Sequence, residues 1–167
     1  MPTSFTDLVE VKVMKSIFKK SILLVLIAFV SYNAASQQTD YYEKKGYAVA
    51  GYDVTEYFNN QAKKGNKKYV TPYDGTMFQF VSQENLEKFK ANPEKYIPQY
   101  GGYCAYAVAD KGKKISINPE TYEIRDGKLY LFFNAWGNNT LESWIEEGPE
   151  KLRGQADAAW AEVKHKS

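Results

Sequence analysis

A basic, then apolar, then small-residue segment near the N-terminus determines how much of the chain is available to fold. Residues 14–36 begin with three lysines, continue through an apolar run at 22–30 and end in small residues at Ser36. This order is typical of a secretory signal peptide, and the apolar run is shorter than the roughly 20 residues that a spanning helix needs. The sequence therefore predicts cleavage before Gln37 and an exported protein, either periplasmic or secreted.

Residues 1–13 do not suit the basic head of such a leader, because they carry Asp7 and Glu10. We interpret them as an extension from a misassigned start, and Met14 as the natural start. The alternative hypothesis is that the apolar run remains in place as a short membrane anchor. With cleavage, the remaining sequence predicts no membrane span.

The chain beyond the predicted leader has 131 residues, which is the length of one domain that can bury its own core. It carries 18 Lys and Arg and 18 Asp and Glu, so its net charge is zero. Binding to nucleic acid is dominated by the neutralisation of phosphates, so a neutral domain argues against nucleic acid as a partner. The four lysines at 63–68 flank Gly65-Asn66 and predict a solvated loop.

Two Asp-Gly pairs predict β-hairpins. Asp74-Gly75 lies in the middle of residues 68–81 and Asp126-Gly127 in the middle of residues 122–133, and both segments are otherwise rich in apolar and aromatic residues. Asp and Gly tolerate the positive φ angles of a tight hairpin turn. The two hairpins look alike, but a duplicated chain would show a longer match. We therefore interpret the likeness as shared turn chemistry.

The spacing of apolar residues predicts four short helices, at residues 83–91, 94–97, 139–147 and 149–164. Ser82 is a good N-cap for the first of these helices, and residues 103–108 fit either a strand or a tight helix in the interior. We therefore expect an α+β fold, with one small domain at residues 47–164 in which two β-hairpins pack against several short helices. A flexible segment at 37–46 precedes that domain.

Three runs of residues carry a resemblance to a known family. They are residues 73–85 (YDGTMFQFVSQEN), 92–96 (NPEKY) and 100–105 (YGGYCA). Together they resemble the YHS domain, and in particular the exported branch of that family, over about residues 47–160. The resemblance implies a small α+β domain with a binding role. Relatives in the wider family are associated with heavy metals, which they hold through paired cysteines that open and close the hairpin.

This sequence departs from the metal-binding pattern at the positions where the resemblance places the ligands. Val81 and Asn85 stand where metal-binding relatives carry thiolates, and residues 51–53 replace a cysteine-bearing segment. A structural zinc site needs four nitrogen or sulfur ligands, often Cys and His. One Cys and one His, His165, cannot supply them, so the sequence excludes a zinc knuckle.

Cys104 is the one cysteine of the chain, so no intramolecular disulfide can form. Three interpretations remain open. The thiol packs as a small buried hydrophobe, it binds copper or another soft metal ion, or it forms an intermolecular disulfide. The neighbouring residues that would frame a ligand site are Tyr100, Gly101, Gly102, Tyr103 and Tyr106.

Our functional prediction is a non-catalytic, exported binding domain that resembles YHS proteins and that takes a soft metal such as copper through Cys104. The alternative is a Tyr-rich module that binds a small ligand or a protein, with Cys104 purely structural. An enzyme is not favoured, because His165 lies near the end of the chain and cannot serve a nucleophile within the fold. We interpret the acid pairs Asp53 with Glu56, and Glu146 with Glu147, as solvated surface groups.

Overall fold

Two long antiparallel hairpins form the framework of the part of the chain that the computed structural model describes, residues 38–165. The predicted leader and N-terminal extension lie outside the described residues. In chain order, the strands are β1 (Glu43–Lys44), β2 (Tyr47–Ala48), β3 (Asn66–Tyr73), β4 (Thr76–Phe80), β5 (Asn118–Arg125), β6 (Lys128–Phe132), β7 (Asn134–Ala135) and β8 (Asn138–Asn139). Each odd-numbered strand pairs with the strand that follows it, so that every sheet is a two-stranded hairpin.

Short helices pack against these hairpins, which confirms the predicted α+β class. The α-helices are α1 (Gln83–Ala91), α2 (Pro93–Tyr96), α3 (Ala105–Lys111), α4 (Thr140–Glu147) and α5 (Pro149–Val163), and a turn of 3-10 helix spans Glu56–Asn59. Four of the α-helices coincide with the predicted ones to within a residue or two. The structure also decides the open alternative at residues 103–108, which enter helix α3.

The two Asp-Gly pairs form the turns that the sequence predicts. Asp74 and Gly75 have φ angles of 43° and 77°, and Asp126 and Gly127 have φ angles of 51° and 71°. Two consecutive positive φ angles define the type I′ turn, whose twist matches that of the flanking strands. The N-cap of α1 is confirmed as well, because the Ser82 hydroxyl accepts a hydrogen bond from the Asn85 N–H at 3.2 Å.

The likeness of the two hairpins extends beyond turn chemistry, and on this point the sequence-based interpretation is wrong. Both hairpins pair an eight-residue strand with a five-residue strand, and both shift register after their first residue, Asn66 in one and Asn118 in the other. Each of these asparagines accepts a hydrogen bond from the backbone N–H two residues later, at 2.9 Å and 3.0 Å. The same bulge is therefore built twice.

The correspondence continues on both sides of the hairpins. Residues 49–51 and residues 100–102 each contain three consecutive positive φ angles, ahead of β3 and β5 respectively. After the hairpins, helix α1 packs Phe89 on the rings of β4, and helix α4 packs Trp144 on the rings of β6. We call residues 49–96 the first repeat and residues 100–151 the second repeat. Their sequences share too little for the repeat to show before folding.

Two buried clusters form the core: the larger one draws residues from both repeats, and the smaller one lies in the second repeat and helix α5. In the first repeat, the Phe89 ring lies 4.9 Å from that of Phe78 and 5.1 Å from that of Phe80. In the second repeat, the Trp144 ring lies 5.7 Å from that of Tyr130 and 5.5 Å from that of Phe132. Offset and tilted aromatic pairs at these distances add to the stabilisation that comes from burial.

The chain before β1 lies against the domain, although the sequence predicts a flexible segment there. Tyr41 is 5% exposed, and its ring packs edge-on against Phe78 at 5.5 Å. The Tyr42 N–H donates a hydrogen bond to the Gly101 carbonyl at 2.8 Å. The prediction considered only the polarity of residues 37–46. It did not take into account that Tyr41 packs on the first repeat and that Tyr42 bonds to the second.

None of the helices in residues 38–165 combines the length and the apolar character that crossing a bilayer requires.

Candidate functional site

Cys104 lies at the entrance of helix α3 and is buried, with 0% of its surface exposed. Its backbone N–H donates to the Ile115 carbonyl at 3.0 Å, and its carbonyl accepts from the Val108 N–H at 3.0 Å. A backbone bridge to Leu131 places it beside β6. These contacts hold the residue between α3 and the second hairpin.

The thiol of Cys104 has one side-chain partner, the hydroxyl of Thr140, at 3.3 Å. The Thr140 hydroxyl donates its own hydrogen to the Phe133 carbonyl at 2.9 Å. Since a hydroxyl has one hydrogen and two lone pairs, the remaining role of Thr140 toward the sulfur is that of acceptor. The Cys104 S–H is therefore the donor in this pair.

A cleft of about 420 Å³ opens above this thiol. Helix α3, the loop that follows it, the residues after β6 and helix α4 form its walls, with Tyr106, Ile115, Phe133, Asn138 and Ser143 among the lining residues. The cleft combines apolar surface with hydroxyl and amide groups and with one pair of opposite charges, Asp110 and Lys111. That combination is typical of sites that hold small molecules.

The donor set around Cys104 offers a soft metal ion one sulfur ligand. Copper(I) favours thiolate and thioether ligands, whereas the nearest side-chain partner of Cys104 is an alcohol that accepts the thiol's hydrogen. Within residues 38–165, no group of three or more His, Cys, Asp or Glu side chains could hold a metal ion. The packing interpretation of Cys104 is the one that the geometry favours, and metal binding stays a prediction.

The three tyrosines of the predicted ligand site do not converge. Tyr106 lines the Cys104 cleft, Tyr103 lines a second cleft beside residues 38–43, and Tyr100 lines a third cleft with Trp160. The five predicted residues, Tyr100, Gly101, Gly102, Tyr103 and Tyr106, are therefore spread over several surfaces. Among them, Tyr106 alone shares a cleft with Cys104.

Each of these tyrosine hydroxyls donates to a carboxylate. Tyr100 donates to Asp157 at 2.9 Å, Tyr103 to Asp40 at 3.2 Å and Tyr106 to Glu147 at 2.6 Å. The hydrogen bond to Glu147 raises the pKa of Tyr106 to about 12, and burial raises the pKa of Tyr103 to about 12. These phenols are neutral donors with structural partners.

Gly101 and Gly102 allow a backbone conformation and a close contact that a side chain would prevent. Their φ angles are 60° and 81°, which side chains rarely adopt. A Cβ on Gly101 would lie 2.2 Å from the Asp40 carbonyl oxygen. The group that approaches Gly101 closely is therefore the chain before β1. A role of the two glycines in ligand binding stays a prediction.

The first repeat places Asp53 where the second places Cys104. Asp53 is 0% exposed, and its N–H donates to the Lys63 carbonyl at 2.9 Å, as Cys104 does to Ile115. One carboxylate oxygen accepts from the N–H and the hydroxyl of Thr55, and the other accepts from the Val81 N–H and the Asn85 amide.

Glu56, which is 7% exposed, joins this group. It accepts from the Asn85 amide at 2.8 Å and pairs with Lys63 at 2.8 Å. The interpretation of Asp53 and Glu56 as solvated surface acids is therefore wrong: every buried acceptor has a donor, and the pair closes the first repeat. The Asp-x-Thr spacing, whose carboxylate bonds the backbone two residues on, is the local signal that could have indicated it.

Sequence reasoning missed three residues around the Cys104 cleft. The side chains of Asn138 and Ser143 line it, and Trp136 projects from the turn between β7 and β8 with 96% of its surface exposed. Nothing in their local sequence marks them, because the fold brings them to Cys104 from more than 30 residues away.

Comparison with known proteins supports a YHS domain in the first repeat. The model of the YHS domain matches residues 55–100, a range that holds the first hairpin with helices α1 and α2 and stops before Cys104. No curated protein and no solved structure shows a significant match to the chain. The resemblance predicted over residues 47–160 is thus shown for its N-terminal part.

Proposed function

We propose that this protein is an exported, non-catalytic binding domain and that its ligand site is the Cys104 cleft. The main support for the proposal is that apolar side chains and the polar side chains of Asn138 and Ser143 line the same cleft. Neither side chain has a hydrogen-bond partner within residues 38–165. Polar groups that the fold leaves unused are available to a ligand.

The absence of a nucleophile–base pair within the described cleft supports a binding role over a catalytic one. The Cys104 thiol donates to an alcohol, whereas an activated nucleophile needs a base within hydrogen-bond reach. His165 contacts the backbone carbonyl of Gln38 and does not line the cleft. Export is proposed from the order of basic, apolar and small residues at 14–36.

A screen of small-molecule fragments by NMR, with isotope-labelled protein, tests the proposal. We expect amide signals of the cleft residues to shift with at least some fragments, and Ser143→Phe, which fills the cleft from helix α4, to abolish those shifts. The matched control is Glu146→Phe, which adds the same ring at an exposed position of the same helix outside the cleft. Shifts that avoid the cleft, or that survive Ser143→Phe, would contradict it.

Binding of copper is the second candidate, because the YHS match is associated with metal-related roles and because Cys104, a soft donor, lies at the cleft floor. Titration with Cu(I) in competition with a chelating dye tests it. If this candidate is right, the wild type takes up one equivalent and Cys104→Ser takes up none while keeping its fold. Retention of all the metal by the dye would exclude it.

A further inference from the structure

Trp136 occupies a backbone position that disfavours it. With Gly137 it forms the turn between β7 and β8, with φ angles of 52° and 77°. The same pair of positive angles occurs at Asp74-Gly75 and at Asp126-Gly127. Asn, Asp and Gly are the residues that such turns prefer, so the tryptophan opposes the local rule that the two long hairpins follow.

Little burial of the Trp136 side chain offsets this unfavourable backbone position. The Trp136 side chain is 96% exposed, and its ring contact is with Phe133, at 5.9 Å between centroids. Tryptophan is highly buried on average, and a residue that breaks a local rule without a structural gain is expected at a functional site. The exposed indole is therefore available to something outside the domain.

Trp136 lies next to two residues that line the Cys104 cleft. Phe133, against which the indole leans, and Asn138, two residues beyond it, both line the cleft. Two charged residues, Asp110 and Lys111, line the cleft; they have opposite signs and pair at 3.6 Å, while Glu147 accepts from Tyr106. Because these two charges offset each other, the cleft has no net charge, and the neutral groups at and beside it are an aromatic face, an amide and a hydroxyl.

We propose that the cleft binds an uncharged saccharide, with one sugar ring stacked on Trp136 and its hydroxyl groups bonded by Asn138 and Ser143. A pyranose has a face of C–H groups, which suits the flat, apolar indole, and an edge of neutral donors and acceptors, which suits an amide and a hydroxyl. A phosphorylated ligand would meet as many anions as cations in this lining, so it is not favoured. This inference rests on the proposed function and assigns the ligand class of the same site.

Titration with cellohexaose, chitohexaose, mannohexaose and maltohexaose tests the inference, with calorimetry and iodide quenching of tryptophan fluorescence as readouts. We expect at least one sugar to bind with a Kd below about 1 mM and to shield Trp136 from iodide. Because Trp144 is 0% exposed, the quenchable signal comes largely from Trp136 and from the half-buried Trp160.

Trp136→Asn separates a recognition role from a structural one. Asparagine suits a turn with positive φ, so we expect the melting temperature to stay the same or rise while the affinity for the sugar falls about tenfold or more. The control is Ile145→Asn, which removes another exposed apolar side chain, 58% exposed on α4, and which should leave sugar binding intact. Unchanged affinity in Trp136→Asn, or a lower melting temperature, would overturn the proposal.

The outcomes also distinguish this inference from the proposed function. If fragments bind the cleft in a Ser143-dependent manner and none of the four sugars binds, the saccharide assignment is wrong and the cleft remains the site. If no fragment and no sugar binds, both fail. If the sugars do not bind but phosphatidylcholine–phosphatidylglycerol vesicles capture the protein through Trp136, the indole is a membrane anchor and the saccharide assignment is again wrong.

Discussion

Asp53 and Cys104 occupy corresponding positions in the two repeats, and both side chains are fully buried. The Asp53 carboxylate accepts from the Asn85 amide at 2.9 Å, and the Cys104 sulfur lies 3.3 Å from the Thr140 hydroxyl. In both repeats, the partner belongs to the helix that follows the hairpin. The first repeat thus closes around four hydrogen bonds to a carboxyl group, and the second closes around one weak bond beneath a cleft.

Replacement of Asp53 by asparagine tests the importance of that carboxyl group. An amide retains one acceptor oxygen and turns an NH2 group toward donors that now lack an acceptor, such as the Val81 N–H. We expect Asp53→Asn to lower the free energy of unfolding by about 2–4 kcal/mol in urea denaturation. The control is Glu84→Gln on the exposed face of α1, where the loss should stay within about 0.5 kcal/mol. Equal losses would contradict the assignment.

The ionisation of Glu56 should make the free energy of unfolding depend on pH in the acidic range. The hydrogen bond from Lys63, supported by Asn85, lowers the pKa of Glu56 below its ordinary value of 4.5, although burial acts in the opposite direction. Because the pKa is lower in the folded state than in the unfolded state, ionised Glu56 contributes stability above about pH 4.5, and this contribution is lost as the pH falls through the folded-state pKa.

Urea denaturation between about pH 5 and pH 3 measures this contribution. The stability of the wild type should fall across this window, and that of Glu56→Gln should fall less steeply, because the variant has no carboxylate to protonate. Glu84→Gln should follow the wild type more closely, since Glu84 is exposed and its pairing with Lys88 is screened. If Glu56→Gln and the wild type fall in parallel, Glu56 is not the group responsible.

The chain before β1 can pack in its observed position only because Gly101 has no side chain. A Cβ at this position would meet the Asp40 carbonyl oxygen at 2.2 Å, in addition to the cost of a φ of 60°. Gly127→Ala is a matched control, because Gly127 has a φ of 71° and nothing within 4 Å of the added Cβ. The control should lose about 1 kcal/mol of stability.

Gly101→Ala should lose clearly more than Gly127→Ala, and its defect should be local. We expect the Tyr42 amide, which donates to the Gly101 carbonyl, to exchange its hydrogen faster in Gly101→Ala than in the control, as measured by native-state hydrogen exchange. Equal exchange of the Tyr42 amide in the two variants would show that the clash is relieved without displacing the chain before β1.

Local signals account for the parts of the fold that the sequence predicted. Asp-Gly pairs specify hairpin turns, and Ser82 and the apolar spacing specify α1, because each signal acts over a few residues. The repeat could not be predicted because the two halves share backbone angles and not a pattern of residue types. Residues 49–51 and 100–102 share their positive φ angles and one glycine, but no side-chain pattern.

The candidate site was predictable in part. Cys104 and Tyr106 were identified from sequence, and both line the cleft. Asn138 in β8 and Ser143 in α4 reach the cleft because the chain after β6 returns to Cys104, which no local pattern reveals. Asp53 and Glu56 were placed on the surface because pairs of acids are usually solvated. Tertiary partners, above all Asn85 and Lys63, are what make their burial tolerable.

The predicted leader gives a test of export. Cleavage before Gln37 requires a small residue at the position before it, Ser36. We expect N-terminal sequencing of protein from its own host to begin at or near Gln37, in the fraction outside the cytosol. Ser36→Tyr should block processing, because a large side chain replaces the small residue, and the control Gln38→Tyr should be processed normally. Recovery of intact leader on wild-type protein in the cytosol would exclude export.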